Sequence, residues 1–530
     1  MRHFHVTFEQ YDRRILIHED ATVFEAAASA GIILNTVCGG KGICLKCMVK
    51  ILPEGCEVPA CQYHIHSDIN VIIPTASRFY EQKILAQGLD VKEKIQPDIY
   101  KKYLRFSPAG KILGLAVDTG TTTVAAKLLD MTTGRSLAVE ADLNPQMKYG
   151  DDVISRIHHA ESEKNQIEMQ SLIIDCLNNL IARLCRAQAV SSSDIYELCV
   201  VGNTTMNHLF LNLPVTQLGQ APYKAFNLDA CDTNPALLGL QINPAGNIHT
   251  GPNIAGFVGA DTTAAALAVG AESAQEQTLV VDIGTNGELV LGTSDKLYAA
   301  SCAAGPALEG ARISCGSRAV DGAIQGVVVN KSDIDLDVIG GGPAVSICGS
   351  GLIDAMALLL NLGIVEPTGR FTDRAKLHDR LPAPILARIV TEHGTSAFAL
   401  AADTGGQRIV LTQNDVRQVQ LAKAAVRAAI MLLQKKIGIH DSDIKQVYVA
   451  GAFGNYIRPE SALRIGLLPQ IDVERIRFVG NAACSGAEMM LLSSECRKAA
   501  QRLAKKIEYV EIAREADFTS VYSDCMLFES

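Results

Sequence analysis

The strongest constraint on what this chain can fold into is an internal duplication. The segments GLAVDTGTTTVAAKLLD (114–130) and LVVDIGTNGELVLGTS (279–294) each read as an apolar strand, a D-x-G-T turn and a second strand. The correspondence recurs downstream, where SDIYELCVVGNTT (193–205) matches SDIKQVYVAGAFG (442–454). A long amphipathic helix is predicted ahead of each, over 165–187 and 415–437. In the second, Val416, Val419, Ala422, Val426, Ala429, Ile430 and Leu433 fall on one face. Two similar α/β units facing each other leave a cleft between them, the default place for a ligand.

The turns say what kind of ligand. A D-x-G-T turn offers backbone amides and a hydroxyl to phosphate oxygens, and its Asp can hold a hydrated divalent cation. Asp118 and Asp282 are therefore the candidate Mg2+ holders. Gly120, Thr121, Thr122 and Thr123 in the first turn, with Gly284, Thr285 and Asn286 in the second, are the candidate phosphate binders. Glu288 or Asp282 could orient an attacking water. The glycine-rich strand ends holding Gly349 and Gly351, and Gly451 and Gly454, would let backbone approach a base and ribose. A single D-x-G is more often an ordinary hairpin turn. Two at equivalent places, followed by V-A-G-A-F-G, are harder to dismiss. The constellation resembles the acetate-and-sugar-kinase, heat-shock chaperone and actin superfamily over about residues 111–530. That resemblance implies a ribonuclease H-like, actin-like ATPase with ATP and Mg2+ in the cleft. No G-x4-G-K-[ST] loop competes with it.

Four readings nearby are structural. Gly202-Asn203-Thr204-Thr205 is assigned to the segment connecting the halves. Asp261 in GFVGADTTAAAL is expected to N-cap a helix. Cys302, Cys315, Cys348 and Cys484 lack metal spacing and are expected as buried thiols. The tail, with Cys496 and Cys525, has no C-x2-C-x2-C run, so no 4Fe-4S module is expected there.

The N-terminus carries different chemistry. Cys38, Cys44, Cys47 and Cys61 are spaced C-x5-C-x2-C-x13-C. Three thiolates on one Gly-rich loop and a fourth farther along is the ligand pattern of a 2Fe-2S cluster. A four-cysteine zinc site is the alternative, but zinc ribbons pair two C-x2-C knuckles and here only Cys44 and Cys47 make one. Cys56, in a P-E-G-C turn, rivals Cys61 as fourth ligand. His64 and His66 raise a two-histidine Rieske site, which four cysteines make unnecessary; solvated strand histidines are the simpler account. Around the loop, HFHVTF (3–8) and RRILIH (13–18) alternate as a hairpin should, Thr22 and Glu25 form a capping box for a short helix ending at Gly31, and strands follow at 47–51 and 69–73. The pattern resembles the β-grasp 2Fe-2S ferredoxins over about residues 1–76.

Composition narrows the remaining classes. A chain of 530 residues is too long for one core. The expected domains are 1–76, a linker over 77–110, and two ATPase halves over 111–275 and 276–530. A net charge of −9 without a basic block argues against nucleic acid or an anionic membrane as partner. The absence of a long apolar run or signal peptide, with fifteen cysteines, suggests a reducing, cytoplasmic location.

An electron carrier joined to a nucleotide clamp suggests electron transfer made conditional on ATP. In this order of parts the whole chain resembles the reductive activators of corrinoid proteins. The resemblance implies reduction of a partner corrinoid protein of a methyltransferase system from Co(II) to Co(I), fed by an external low-potential donor. Because no D-x-H-x-x-G signature is present, the corrinoid is expected on the partner. Longer relatives insert a small domain between ferredoxin and ATPase, for which 75–110 leaves no room. Rival readings are an activator of the benzoyl-CoA reductase or dehydratase type, a redox-sensing ATPase scaffold, and a small-molecule kinase. A homodimer is left open.

Overall fold

The computed structural model describes residues 2–11, 13–30, 32, 34, 42, 47–53, 55–74, 77, 88–89, 95–97, 111–330, 332–402, 406, 408–451 and 457–529. The chain divides into two compact units, Met1–Gln82 with Gln146–Ser155, and Lys83–Pro145 with Arg156–Ser530.

The first unit is a five-stranded sheet with one helix. Strands β1 (His3–Phe8) and β2 (Arg13–His18) pair antiparallel from His3↔His18 to Phe8↔Arg13, the hairpin that their alternation predicts. Helix α1 (Val23–Ser29) starts at the predicted capping box. The Glu25 amide donates to Thr22 Oγ1 at 3.2 Å, and the Thr22 amide to Glu25 Oε2 at 2.8 Å. Its C-cap is Ala30; Gly31, the expected stop, lies outside the described residues. β3 (Met48–Leu52), β4 (Cys56–Pro59) and β5 (Ile69–Ile72) complete the order β2-β1-β5-β3-β4. The parallel pairing of β1 with β5 brings the ends of the segment together over a core of Val6, Phe8, Val23, Val49, Ile51 and Val71. Cys56 opens β4 opposite Ile51, so it occupies a strand and not the expected turn.

The second unit contains the duplication. Its first sheet uses β6 (Leu113–Thr119), β7 (Thr123–Asp130), β8 (Ser136–Leu143), β9 (Ile195–Val201), β10 (Cys231–Thr233) and β11 (Asn247–Thr250), in the order β10-β11-β9-β6-β7-β8. Between β8 and β9 runs α2 (Glu163–Gln188), capped by Ser162. After β9 comes α3 (Thr204–Phe210), and after β11 comes α4 (Ala260–Ala268).

The second sheet begins with β12 (Thr278–Ile283), β13 (Gly287–Gly292) and β14 (Leu297–Cys302). Two small three-stranded sheets follow, β15 (Ala323–Asn330) with β16 (Asp333–Val338) and β17 (Ser346–Ile347), then β18 (Ile389–Glu392) with β19 (Thr395–Ala402) and β20 (Arg408–Thr412). Helix α5 (Gly349–Asn361) lies between them, and α6 (Gln413–Ile437) follows, its capping box formed by Thr412 and Asp415. β21 (Gln446–Ala450), β22 (Ile476–Gly480) and β23 (Ile507–Tyr509) complete the order β22-β21-β12-β13-β14-β23, with α7 (Ala482–Leu492) and α8 (Ser494–Lys506) before β23.

The runs β9-β6-β7-β8 and β21-β12-β13-β14 are the same motif. Each has a parallel strand beside the first arm of an antiparallel meander. One core of small side chains serves both sheets: Cys199 and Val201 from the first, Val280 and Val290 from the second, and Ala264 and Ala487 from the helices between. Among the described residues of the 77–110 segment, Gln96 pairs with Ser493 at the end of α7. No helix among the described residues is long and apolar enough to cross a membrane.

Candidate functional site

In the duplicated unit, strand pairing sets the geometry. Asp118 sits opposite Val201 and Asp282 opposite Ala450 on the parallel strands, so the two carboxylates leave equivalent strand ends. Across the meanders, Asp118 faces Ala125 while Asp282 faces Glu288. The two D-x-G-T turns meet where Thr122 Oγ1 lies 3.5 Å from Thr285 Oγ1. Each turn is tied down. The Asn144 amide donates to the Gly120 carbonyl at 2.9 Å, the Arg156 guanidinium to the Thr121 carbonyl at 2.5 Å, and the Gly284 amide to the Asn286 carbonyl at 2.9 Å. Thr285 Oγ1 donates to Glu309 Oε1 at 2.9 Å. Thr123 begins β7 opposite Leu143.

Four acids perturb one another here. Burial, then the charge of Asp261, push Asp118 up to about 7, against a 2.9 Å hydrogen bond from the Asn481 amide. Burial, then Asp261 and Asp118, push Asp282 up to about 7. Burial likewise raises Asp261 to about 6. Glu288 is raised well above the carboxylate range by burial, Asp261 and Asp282. The opposing influences are hydrogen bonds, not cations. A group of acids held this way lowers its energy by taking up protons or a cation. No three of them converge as a direct ligand set among the described residues.

Four sequence expectations are corrected. Asp261 is not an N-cap; Gly259 is, and Asp261 lies in the first turn of α4 among the acids. The Gly202–Thr205 stretch is not a connector. It follows β9 at the place where Gly451 follows β21, with Asn203 capping α3 through the Met206 amide at 3.0 Å and donating to Thr121 Oγ1 at 2.8 Å. The duplication itself carried this signal, since VVGN aligns with VAGA. Gly451 adopts φ +105°, and a Cβ there would come within 2.5 Å of the Ile283 carbonyl and 3.0 Å of Asp282 Oδ1. Its smallness thus serves the Asp282 strand end. Gly349 and Gly351 open helix α5 and do not end a strand; Gly351 packs against the Ile324 carbonyl. Gly454 lies outside the described residues. Of the four thiols expected buried, Cys302, Cys348 and Cys484 are, while Cys315 is partly exposed.

In the first unit, Cys47 and Cys61 come together from β3's approach and the turn after β4, both buried, with Sγ atoms 3.4 Å apart. That is too far for a disulfide bond of about 2.05 Å. It is near the edge of a tetrahedron with metal–sulfur bonds of about 2.3 Å, roughly 3.8 Å. The pair therefore fits two ligands of one metal ion. Cys56 is exposed. His64 bonds the Asp20 carbonyl at 2.7 Å and His66 faces Asp20 at the surface, as solvated histidines would. Cys38 and Cys44 lie outside the described residues.

These features define an actin-like α/β ATPase unit joined to a small cysteine-bearing sheet domain. Residues 276–530 match the C-terminal domain of RACo, described as its ASKHA domain, and residues 113–274 match the RACo middle region. The chain is 34% identical to the corrinoid activation enzyme RamQ of Eubacterium limosum, over 98% of each chain. It is 26% identical to the [Co(II) methylated amine-specific corrinoid protein] reductase of Methanosarcina barkeri, over 77% of this chain and 76% of that one. A solved structure titled reductive activator for corrinoid,iron-sulfur protein superposes with a TM-score of 0.73 at 29% identity, covering 99% of this chain and 98% of its own. The chain belongs to the RACo family of corrinoid-protein activators. The alignment to RamQ extends over 585 positions, more than the 530 residues of this chain, so RamQ has inserted residues that this chain lacks.

Proposed function

We propose that this protein uses ATP to reduce a partner corrinoid protein from Co(II) to Co(I), one electron at a time, so that its cobalt can accept a methyl group. The coexistence in one chain of the paired Cys47 and Cys61 thiols and the acid-lined meeting of two D-x-G-T turns carries the reading. Family membership supports the reaction class.

A ferredoxin-like domain over 1–76 would hold a 2Fe-2S centre through Cys38, Cys44, Cys47 and Cys61, and that centre would supply single electrons at low potential. A linker over 77–110 would lead to ATPase halves at 111–275 and 276–530. Asp118 and Asp282 would hold Mg2+, with Asp261 beside them. Thr121, Thr122, Thr285 and Asn286 would bind phosphates, and Glu288 would take the proton of the attacking water. Its raised proton affinity fits a base. Co(I) is a strong reductant, so the step runs uphill by about 59 mV for each tenfold in the equilibrium and needs ATP to shift it. ATP can do so only by binding one conformation better than another, and closure of the two halves on nucleotide supplies two conformations.

The test mixes reduced protein, ATP and Mg2+ with a corrinoid protein and follows the Co(II) and Co(I) bands anaerobically. Reduction should require both nucleotide and cysteine ligands. Cys61→Ala should lose iron and Cys56→Ala keep it. Equal reduction without nucleotide would refute the proposal.

A further inference from the structure

Beside the Cys47 and Cys61 pair, the side chain of Gln62 folds back over its own neighbour. Its Nε2 donates to the Cys61 carbonyl at 3.0 Å and lies 3.7 Å from Cys61 Sγ. A carbonyl only accepts, so the contact fixes which end of the amide faces inward: the nitrogen, with two hydrogens to share between oxygen and sulfur. The same side chain covers Gly42 on the cysteine loop, where an added Cβ would come within 2.7 Å of Gln62 Cδ. Gly42 adopts φ +77°, a conformation that favours glycine, and its lack of a side chain leaves room for this amide.

We infer that Gln62 is a positioning residue for the electron-transfer centre, whose side-chain amide donates to Cys61 Sγ and sets how readily the centre accepts an electron. The inference rests on Cys61 being a ligand. An N–H aimed at a ligand sulfur favours the state with more negative charge on it, the reduced one. Gln62 thus makes the centre easier to load from a donor and a milder reductant toward cobalt. Loss of the donor should do the opposite without disturbing the iron.

The test uses the full-length protein prepared anaerobically, with Gln62→Met, which keeps the length of the side chain over Gly42 but has no N–H, and Gln62→Glu, which keeps the shape and replaces the donor with a carboxylate. Redox titration followed by EPR reads the midpoint potential. The reduced-to-oxidised ratio at a fixed solution potential should fall about threefold to tenfold in Gln62→Met, tenfold being about 59 mV. It should fall further in Gln62→Glu. Pulsed EPR after exchange into D2O should show a deuteron coupled to the reduced centre in the native protein and not in Gln62→Met. Full iron content with an unchanged midpoint in both variants would overturn the inference. So would loss of iron in both, because Gln62 would then build the site and not tune it. Cys61→Ala separates the two layers: iron retained with an unchanged spectrum would remove the ligand reading itself, whatever Gln62 does.

Discussion

The two halves of the ATPase unit share a scaffold and differ in the residue that faces the strand-end acid. Both begin with an Asp at the end of a strand flanked by a parallel neighbour and an antiparallel arm. In the first half the facing residue is Ala125, and Asp118 is held by an amide from Asn481 at the start of α7. In the second it is Glu288, whose own proton affinity is raised by burial and by the charges of Asp261 and Asp282. A duplicated turn thus carries a lone strand-end acid in one half and a facing pair of acids in the other. Duplication preserves the strand register, on which every core residue depends. The residues facing into the cleft depend only on the ligand and are free to diverge.

The sharpest way to break the comparison is to remove the part that both halves share. Asp118→Ala or Asp282→Ala should reduce ATP hydrolysis to background while the iron content stays native, as a turnover assay and a visible spectrum would show. Equal activity in both variants would mean that the strand-end acids are not the metal holders. The next effect tests the asymmetry. Glu288→Gln should lower kcat by roughly 10²–10⁴-fold with little change in KM, as loss of a general base does. Ala125→Glu should not restore turnover, because it places the acid on the wrong half.

A third variant concerns what couples the halves. Arg497 on α8 forms a buried ion pair with Glu197 on β9, joining late sequence to the first sheet. Arg497→Met leaves Glu197 buried without its partner, and denaturant unfolding should show a loss of about 3–5 kcal/mol. A loss below 1 kcal/mol would mean that the pair is solvated and the halves are coupled elsewhere.

Much of this was legible in the sequence, and the misses share one cause. Strand alternation, the Thr22–Glu25 capping box and the repeat of D-x-G-T are local patterns, and each appears at its expected place. The long helices start within two residues of expectation, at Glu163 and Gln413. By sequence Asp261 reads as a helix start and Asn203 as part of a connecting segment. Only the packing of α4 beside β12 and the register of β9 against β6 bring them to Asp282 and Thr121. Asn481 and Glu309 lie far along the chain from the groups they touch and have no local signal at all.

Proton linkage offers a smaller effect that sharpens the account of the acids. Asp118 and Asp282 hold protons up to about pH 7 in the folded chain, against 3.8 for an ordinary Asp. Between these values the folded protein binds more protons than the unfolded chain. This contribution to stability is present below about pH 4 and is lost as pH rises through 7. A cation competes with those protons, so the stabilisation by Mg2+ should grow over the same window. Thermal melts at pH 5 and pH 8, with and without Mg2+, should show the difference. Asp282→Asn should flatten the pH dependence and blunt the Mg2+ effect, even as it abolishes hydrolysis.

The smallest expected effect concerns a residue in which the halves differ in sequence. After β9, Asn203 both caps α3 and holds Thr121, while its counterpart after β21 is Ala452, which lies outside the described residues. Asn203→Ala removes one cap, which costs about 1 kcal/mol, and frees the Thr121 hydroxyl. If Thr121 binds phosphate only when Asn203 orients it, KM for ATP should rise severalfold while kcat changes little. Asn203→Ser should recover most of the stability, since serine also caps, but not the KM, because its shorter side chain does not reach Thr121. Recovery of both by serine would show that the cap alone matters and that the first turn orients itself.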